Sequence, residues 1–453
     1  MTGENHEVVI VGGGIAGLAA AWALRDRDVV LLEADERVGG RIFTQWREPN
    51  WLVTGAHFVG DPTSPLGGLA VELGCELLPA KGDMAAVWMN GRLLRGGRSE
   101  TFPFRLPMSL GGRLSLIRTG LRLRRVNARA TRGLEDPIHS GYGFDGDEVV
   151  VKGDAGLDAI PFSDALGPMH PEVASIFRTV TNRITGEPHE VSAHYGAALA
   201  ANLWSASMPR NTIRGGLGVL VEGLATRLDN RVVAGARVEA VTQDNDGVEV
   251  RAERGGEKIA IRAQRAIIAT PAPITRRIVA DLPADKAAAL DAVRYGPHLV
   301  MAALTSETEP MPYDDIYMVG VVGRSLQMIY NTMNPARGPN GPRAPGGALT
   351  MLAGSGQAAA LMKRTDDEIR DLFLADLQEI FPETRGIIAE TWVQRWERGY
   401  PYWPPGRLGN QGALARPHGR VHFAGDYLAY GSTGPAARSA KMAARVVREK
   451  LCA

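Results

Sequence analysis

Residues 6–24 read HEVVIVGGGIAGLAAAWAL, and few local patterns restrict a fold more tightly. A β-branched run leads into Gly12-x-Gly14-x-x-Gly17, and an alanine-rich stretch of helical character follows. Each glycine answers a separate need. Gly12 permits the tight turn, Gly14 lets backbone approach a pyrophosphate, and Gly17 lets a helix lie close against a strand. The first helical turn, with Ile15 and Ala16, offers unpaired N–H groups and the positive end of the helix dipole to phosphate. A second strand, Val29–Leu32, ends at Glu33, 21 residues beyond Gly12, where a carboxylate grips a ribose hydroxyl. An acid there disfavours a 2′-phosphate and so argues against NADP. A lone glycine motif is weak evidence. Strand, glycines, helix, strand and acid in this order predict a nucleotide-binding Rossmann unit.

The chain has 453 residues, which suggests two domains or three. Hydrophobic residues make up 45% and charged residues 22%, the balance of a globular protein with a large core. Basic and acidic residues nearly cancel, for a net charge of +1, so no global field favours nucleic acid. The two cysteines, Cys75 and Cys452, lack metal-ligand spacing, so neither a disulfide framework nor a metal site is expected. The first apolar run, Val8–Val11, flows into the glycine turn without the pattern of a signal peptide. No stretch approaches the roughly 20 apolar residues that span a bilayer. The expected location is the cytoplasm.

Further motifs carry a family resemblance. After Glu33 and Ala34 comes a turn with Gly39, Gly40 and Arg41, whose N–H groups and guanidinium suit a diphosphate. Residues 213–241 hold a Gly-Gly turn, a helix and a strand bearing Val238. Arg265–Pro271 reads RAIIATP and includes Thr270. Residues 421–447 read VHFAGDYLAYGSTGPAARSAKMAARVV. There Gly425 and Asp426 end a strand, and Gly434, Pro435 and Ala436 open a helix. Together these resemble the flavin-containing amine oxidase superfamily over nearly the whole chain, most closely its protoporphyrinogen oxidase-like branch. The resemblance implies FAD as cofactor, with Val238 near the adenine, Arg41 beside the phosphates and Asp426 near the ribityl chain. The family usually has Glu where Asp426 stands. The loop Gly55, Ala56, His57 resembles another flavin contact, although Val53 replaces an acid common in the family.

The resemblance also places residues 392–406, WVQRWERGYPYWPPG, along the flavin ring. It makes Trp396 a flavin neighbour, and Tyr400, Tyr402 and Trp403 candidates for the substrate cavity, with core packing as the rival reading. No cysteine occurs in this segment, so FAD is expected to be held noncovalently. The two cage aromatics of monoamine oxidases are matched by Gly399 and Ser432, and a lysine often found over the flavin by Val300. Gly399 is therefore expected to leave open space beside the ring. Arg395, Trp396 and Pro401 resemble the protoporphyrinogen oxidase pattern. His57, His298 and Tyr195 are candidate proton handlers, though each has a simpler structural explanation.

The expected fold is α/β: a Rossmann-type FAD domain from 1–80, 211–285 and 390–453, and a mixed α/β substrate domain from 81–210 and 286–389. Helices are predicted over 171–184 and 190–204, and after a capping box at Thr365 and Glu368. Residues 335–347 read as an exposed loop. The expected reaction is dehydrogenation of a C–N or C–C bond in a bulky, largely apolar small molecule by hydride transfer to flavin, with dioxygen as acceptor. The rival readings are an amine or amino-acid oxidase, a polyene desaturase or isomerase, and a flavin binder without turnover. The oligomeric state is left open. Residues 113–132 carry seven arginines and no acid. For this segment a solvated basic face, a peripheral membrane contact and a guide for acidic substrate compete; protoporphyrinogen oxidases contact membrane in this insertion.

Overall fold

The computed structural model describes residues 4–80, 86–96, 101–132, 142–145, 148–151, 153–183, 186–203, 211–337 and 345–452. Strand β1 (Glu4–Val11) is the buried centre of the first sheet, and helix α1 (Ile15–Ala23) returns across it to strand β2 (Val29–Leu32). β1 pairs in parallel with β2 and with strand 257–268, whose own edge takes strand 421–423, also in parallel. Strands 236–243 and 248–254 extend the sheet antiparallel, and strand 232–233 closes its other end beside β2. Val8, Val9 and Ile10 are fully buried, as expected for a strand covered on both faces.

Close helix–strand approach depends on Gly17. A Cβ built there would lie 1.8 Å from the Gly12 carbonyl oxygen. Gly12 itself has φ +104°, a conformation that L side chains rarely adopt. The C-terminal helix Thr433–Leu451 packs beside α1, so the two ends of the chain share one core.

A second sheet holds seven strands, from Ala86–Met89 and Arg92–Leu94 through the antiparallel set between Arg294 and Tyr402. Its edge strand Ile388–Tyr402, grouped from sequence with the nucleotide-binding stretches, pairs throughout with Arg294–Thr305 and belongs to this sheet. Helices Leu110–Ala130, Pro171–Asn182 and Ala193–Leu203 pack together beside it around a core that includes Phe162, Phe177 and Trp403. The predicted helix ends at Ile184 and Trp204 lie outside the described residues. So does most of the predicted loop, residues 338–344; its first residues form a single 3-10 turn, Asn334–Ala336. The capping box forms as expected: Thr365 and Glu368 bond reciprocally and open helix Asp366–Ile380. No described helix is long and apolar enough to cross a membrane.

Gly17→Ala forces α1 away from β1. A loss of about 1–3 kcal/mol or more is expected, as for overpacked cores, and is read from the urea midpoint. A midpoint equal to wild type would show that α1 can shift without cost.

Candidate active site

The glycine fingerprint and the GGR turn meet directly. Gly39 N–H donates to the Gly13 carbonyl at 2.8 Å, and Gly14 and Gly39 form an isolated parallel bridge. Glu33 accepts from Gly13 N–H at 2.6 Å through one oxygen and from Asp35 N–H at 2.9 Å through the other. Each carboxylate oxygen keeps a further lone pair for a ribose hydroxyl. A Cβ built on Gly14 meets nothing within 4 Å, and the same holds at Gly434. Both lie at helix N-termini that no side chain caps, and the space where a Cβ would project is open. Such a cradle fits a diphosphate at one end and an electron-rich ring edge at the other, as FAD requires.

Arg41 draws distant segments to one point. Its guanidinium pairs with Asp426 at 2.8 Å and donates to the Gly399 carbonyl at 3.1 Å. Its own carbonyl accepts from Ala56 N–H at 3.1 Å, which seats the Gly55–His57 loop. Trp396 Nε1 donates to the Thr54 carbonyl at 2.7 Å, so the edge strand is anchored to the same loop. Burial opposes the charge of Arg41, but the neighbouring Asp426 carboxylate raises its pKa overall.

Arg41, His57, His298 and Tyr400 are each only partly buried; for the Arg41 side chain the exposure is 32%. Crowded groups that still keep accessible surface line a hollow. Burial lowers both histidines to about 4, so each is neutral at pH 7. His298 Nε2 lies 3.0 Å from the Arg183 carbonyl and donates to it in the neutral ring. The His57 ring packs at a tilt against Phe58 and Tyr330 at centroid distances of 4.4 and 4.5 Å, and its Nε2 is buried without a hydrogen-bond partner among the described residues. Burial also raises the Tyr400 phenol, which shares a hydrogen bond with the Ser432 side chain.

The open space expected at Gly399 is absent. His298 pairs with Trp396 and Gly296 with Tyr400, so the edge strand bulges between them. The bulge folds Gly399 onto its neighbour, and a Cβ there would lie 2.7 Å from the His298 Cβ. Trp403 and Tyr195 belong to the core of the helical layer. They stack with Tyr430 at interplanar angles of 10–15°, and all three are buried. The aromatic overlap accounts for the placement of the Tyr195 ring. Tyr402 faces Gly186 and the charges of Glu190 and Arg294, whereas Tyr400 joins Arg41 and Asp426. Thr270 spends its hydroxyl on Thr275 at 2.9 Å, and Val238 is buried beside a bulge in its strand. Pro435 and Ala436 are buried behind the open Gly434.

Sequence reading missed the apolar wall. Val300, Tyr317, Met318, Met328, Tyr330 and Leu352 form one buried cluster, with Phe58 and Trp396 packed against it. The aromatic and methionine residues of strands Met318–Val321 and Met328–Asn331 were the available signal, but only the folded structure brings Tyr317 and Tyr330 against His57.

A Rossmann-type cradle joined to a hollow with an apolar wall defines a flavoenzyme of the two-sheet α/β class. The chain belongs to the flavin containing amine oxidoreductase family, whose model matches residues 15–448. It is an FAD-dependent oxidoreductase. Flavin-containing amine oxidase A from Canis lupus familiaris is 25% identical over 477 residues, covering 99% of this chain and 85% of that one. Putrescine oxidase bound to putrescine superposes with a TM-score of 0.78 at 21% identity, covering 99% of both chains. Cyclohexylamine oxidase from Brevibacterium oxydans gives 0.77 at 21%, covering 99% of this chain and all of the other. These two likenesses show the shared fold.

Two outcomes follow. Gly14→Ala should alter stability by less than about 1 kcal/mol, because its Cβ enters open space, while flavin retention falls at least about tenfold. Full flavin content in that variant would mean that nothing approaches this backbone. For the histidines, folded pKa values near 4 lie below the ordinary 6.5, so the unfolded chain binds protons that the folded chain refuses. Stability should be intact above pH 6.5 and fall between 6.5 and 4, and His57→Gln should flatten that fall by on the order of 1–3 kcal/mol. Parallel wild-type and variant stability profiles would contradict a neutral His57.

Proposed function

We propose that this protein oxidises the C–N bond of a small, predominantly apolar amine and passes the electrons to dioxygen. The observation that carries this reading is the uncharged part of the lining, beyond the Arg41–Asp426 ion pair: two neutral histidines beside the apolar cluster of Val300, Met328, Tyr317, Tyr330 and Leu352. Such a lining disfavours an ammonium ion and selects the free base, whose nitrogen lone pair is what the reaction needs. Bound FAD supplies the hydride acceptor. The chain itself orients the substrate between the apolar wall and Tyr400, and the aromatic packing excludes water. Among the candidates named from sequence, Trp396, Tyr400 and His57 border the reacting space on this reading, and Tyr402 stands behind them. Gly12, Gly14, Ile15, Ala16, Gly17, Glu33, Ala34, Gly39, Gly40 and Arg41 hold the adenosine diphosphate half. Gly55, Ala56, Asp426 and Gly434 hold the flavin half. We further propose that the division into nucleotide and substrate domains follows the two sheets.

Arg395 adds nothing at the reacting space to a protoporphyrinogen oxidase-like reading. That reading leans on Arg395 and Trp396 together, but neighbouring strand residues point to opposite faces. Arg395 binds Asp366 and the Arg364 carbonyl, at 2.7 Å for the latter, on the side away from Trp396. The named functions of the amine oxidases similar in sequence and fold support amine oxidation.

Anaerobic mixing with cyclohexylamine or benzylamine should bleach the flavin absorbance, faster than with putrescine, whose second cation would meet the apolar wall. Hydrogen peroxide should form in air. Bleaching should accelerate with pH as the amine loses its proton, without a step near 6.5, because His57 titrates near 4. A panel of amines that leaves the flavin oxidised would overturn the proposal. Acid precipitation should leave the yellow colour in the supernatant, since Cys75 is held in the first core and Cys452 lies exposed near the C-terminus. Colour in the pellet would refute noncovalent binding.

A further inference from the structure

The helix Leu110–Ala130 turns two opposite faces to two different surroundings. Gly112, Thr119, Leu123, Val126 and Ala130 form the face buried against the helices beneath. At about 100° per residue, Leu110, Leu114, Ile117 and Leu121 fall on a single stripe roughly opposite. That stripe points into solvent: the four are 81, 57, 37 and 56% exposed. Phe104, in the short helix just before, is 70% exposed. Five of the eight large hydrophobic side chains found exposed on the described surface are gathered here. Scattered exposed leucines need no explanation, but a continuous stripe does.

The arginines complete the pattern. Arg113 binds the carbonyls of Phe104, Leu106 and Met108, Arg122 binds that of Leu166, and Arg129 pairs with Asp154. Arg118, Arg124 and Arg125 are exposed and make no hydrogen bond or ion pair among the described residues. By helical position Arg124 flanks the apolar stripe on one side, and Arg118 and Arg125 on the other. The helix contains no acid that would neutralise them. An apolar stripe edged by unpaired arginines suits the boundary between headgroups and acyl chains. The leucines enter the apolar layer while the long arginine stems reach back to phosphate. An acidic protein or a nucleic acid would satisfy the arginines and leave the leucines in water.

We infer that this helix, with Phe104, docks the protein peripherally on an anionic lipid surface. The surface belongs to the same helical layer as Ala193–Leu203, so docking orients the substrate half of the molecule toward the bilayer.

The test is flotation of the FAD-loaded protein with phosphatidylcholine vesicles and with vesicles that also contain phosphatidylglycerol. Wild type should float only with the anionic vesicles and release at high salt. Replacing Arg118, Arg124 and Arg125 together by Gln should weaken partitioning on the order of a hundredfold. Leu114→Glu with Leu121→Glu should abolish it at any salt. All the replaced side chains are exposed, so flavin content and soluble turnover should equal wild type in both variants. Absence of wild-type flotation, or flotation unchanged in either variant, would overturn the inference. So would a dimer that L114E/L121E dissociates without any vesicle binding, which would make the stripe a contact between copies. Tighter binding to a short DNA duplex than to the vesicles would overturn it as well.

Discussion

The pairing of Arg41 with Asp426 joins the two ends of the sequence at the functional centre. A guanidinium this deep is costly to desolvate, and without a carboxylate beside it the charge would be uncompensated. The pair is less a source of net stability than a constraint on position. With its contact to Gly399, it sets how the glycine-rich turn, the C-terminal motif and the edge strand of the second sheet meet. The loop bearing His57 hangs from the Arg41 backbone, so the same residue also places the inner wall.

Around that centre the two sheets supply different kinds of environment. The first is polar at its open end, where helix termini and glycine backbone present N–H groups that no side chain satisfies. The second is apolar where it faces the hollow, and burial there keeps the histidines uncharged. On the proposed function, a charged, hydrogen-bonding cofactor and an uncharged amine would meet matching surfaces on the two sides of this space. The bulge at residues 397–399 lies at the seam, a common place for irregular strands beside reacting groups.

The sequence by itself determined those features whose causes lie within a few dozen residues. The fingerprint from Val8 to Glu33, the GGR turn, the helix after Thr365 and the small-residue helix from Thr433 are each set by local sterics or local capping, and all formed as read. Membership of the flavin-containing family followed from the order of such local signals. Leu114, Ile117 and Leu121 stand at helical spacing in the sequence, but the same spacing serves a buried face equally well. Only the packing of the other side of the helix Leu110–Ala130 showed which way they point.

What the tertiary structure alone decided was the reacting face. Gly399 looked like empty space because glycine has no side chain, but the strand register folds its backbone onto His298 and fills that space. Tyr400, Tyr402 and Trp403 are near neighbours in sequence, yet one joins Arg41 and Asp426, one turns toward Glu190 and one enters an aromatic stack. Residue type cannot distinguish these fates. They depend on pairings between strands some hundred residues apart, where a one-residue shift would exchange every side chain between hollow and core.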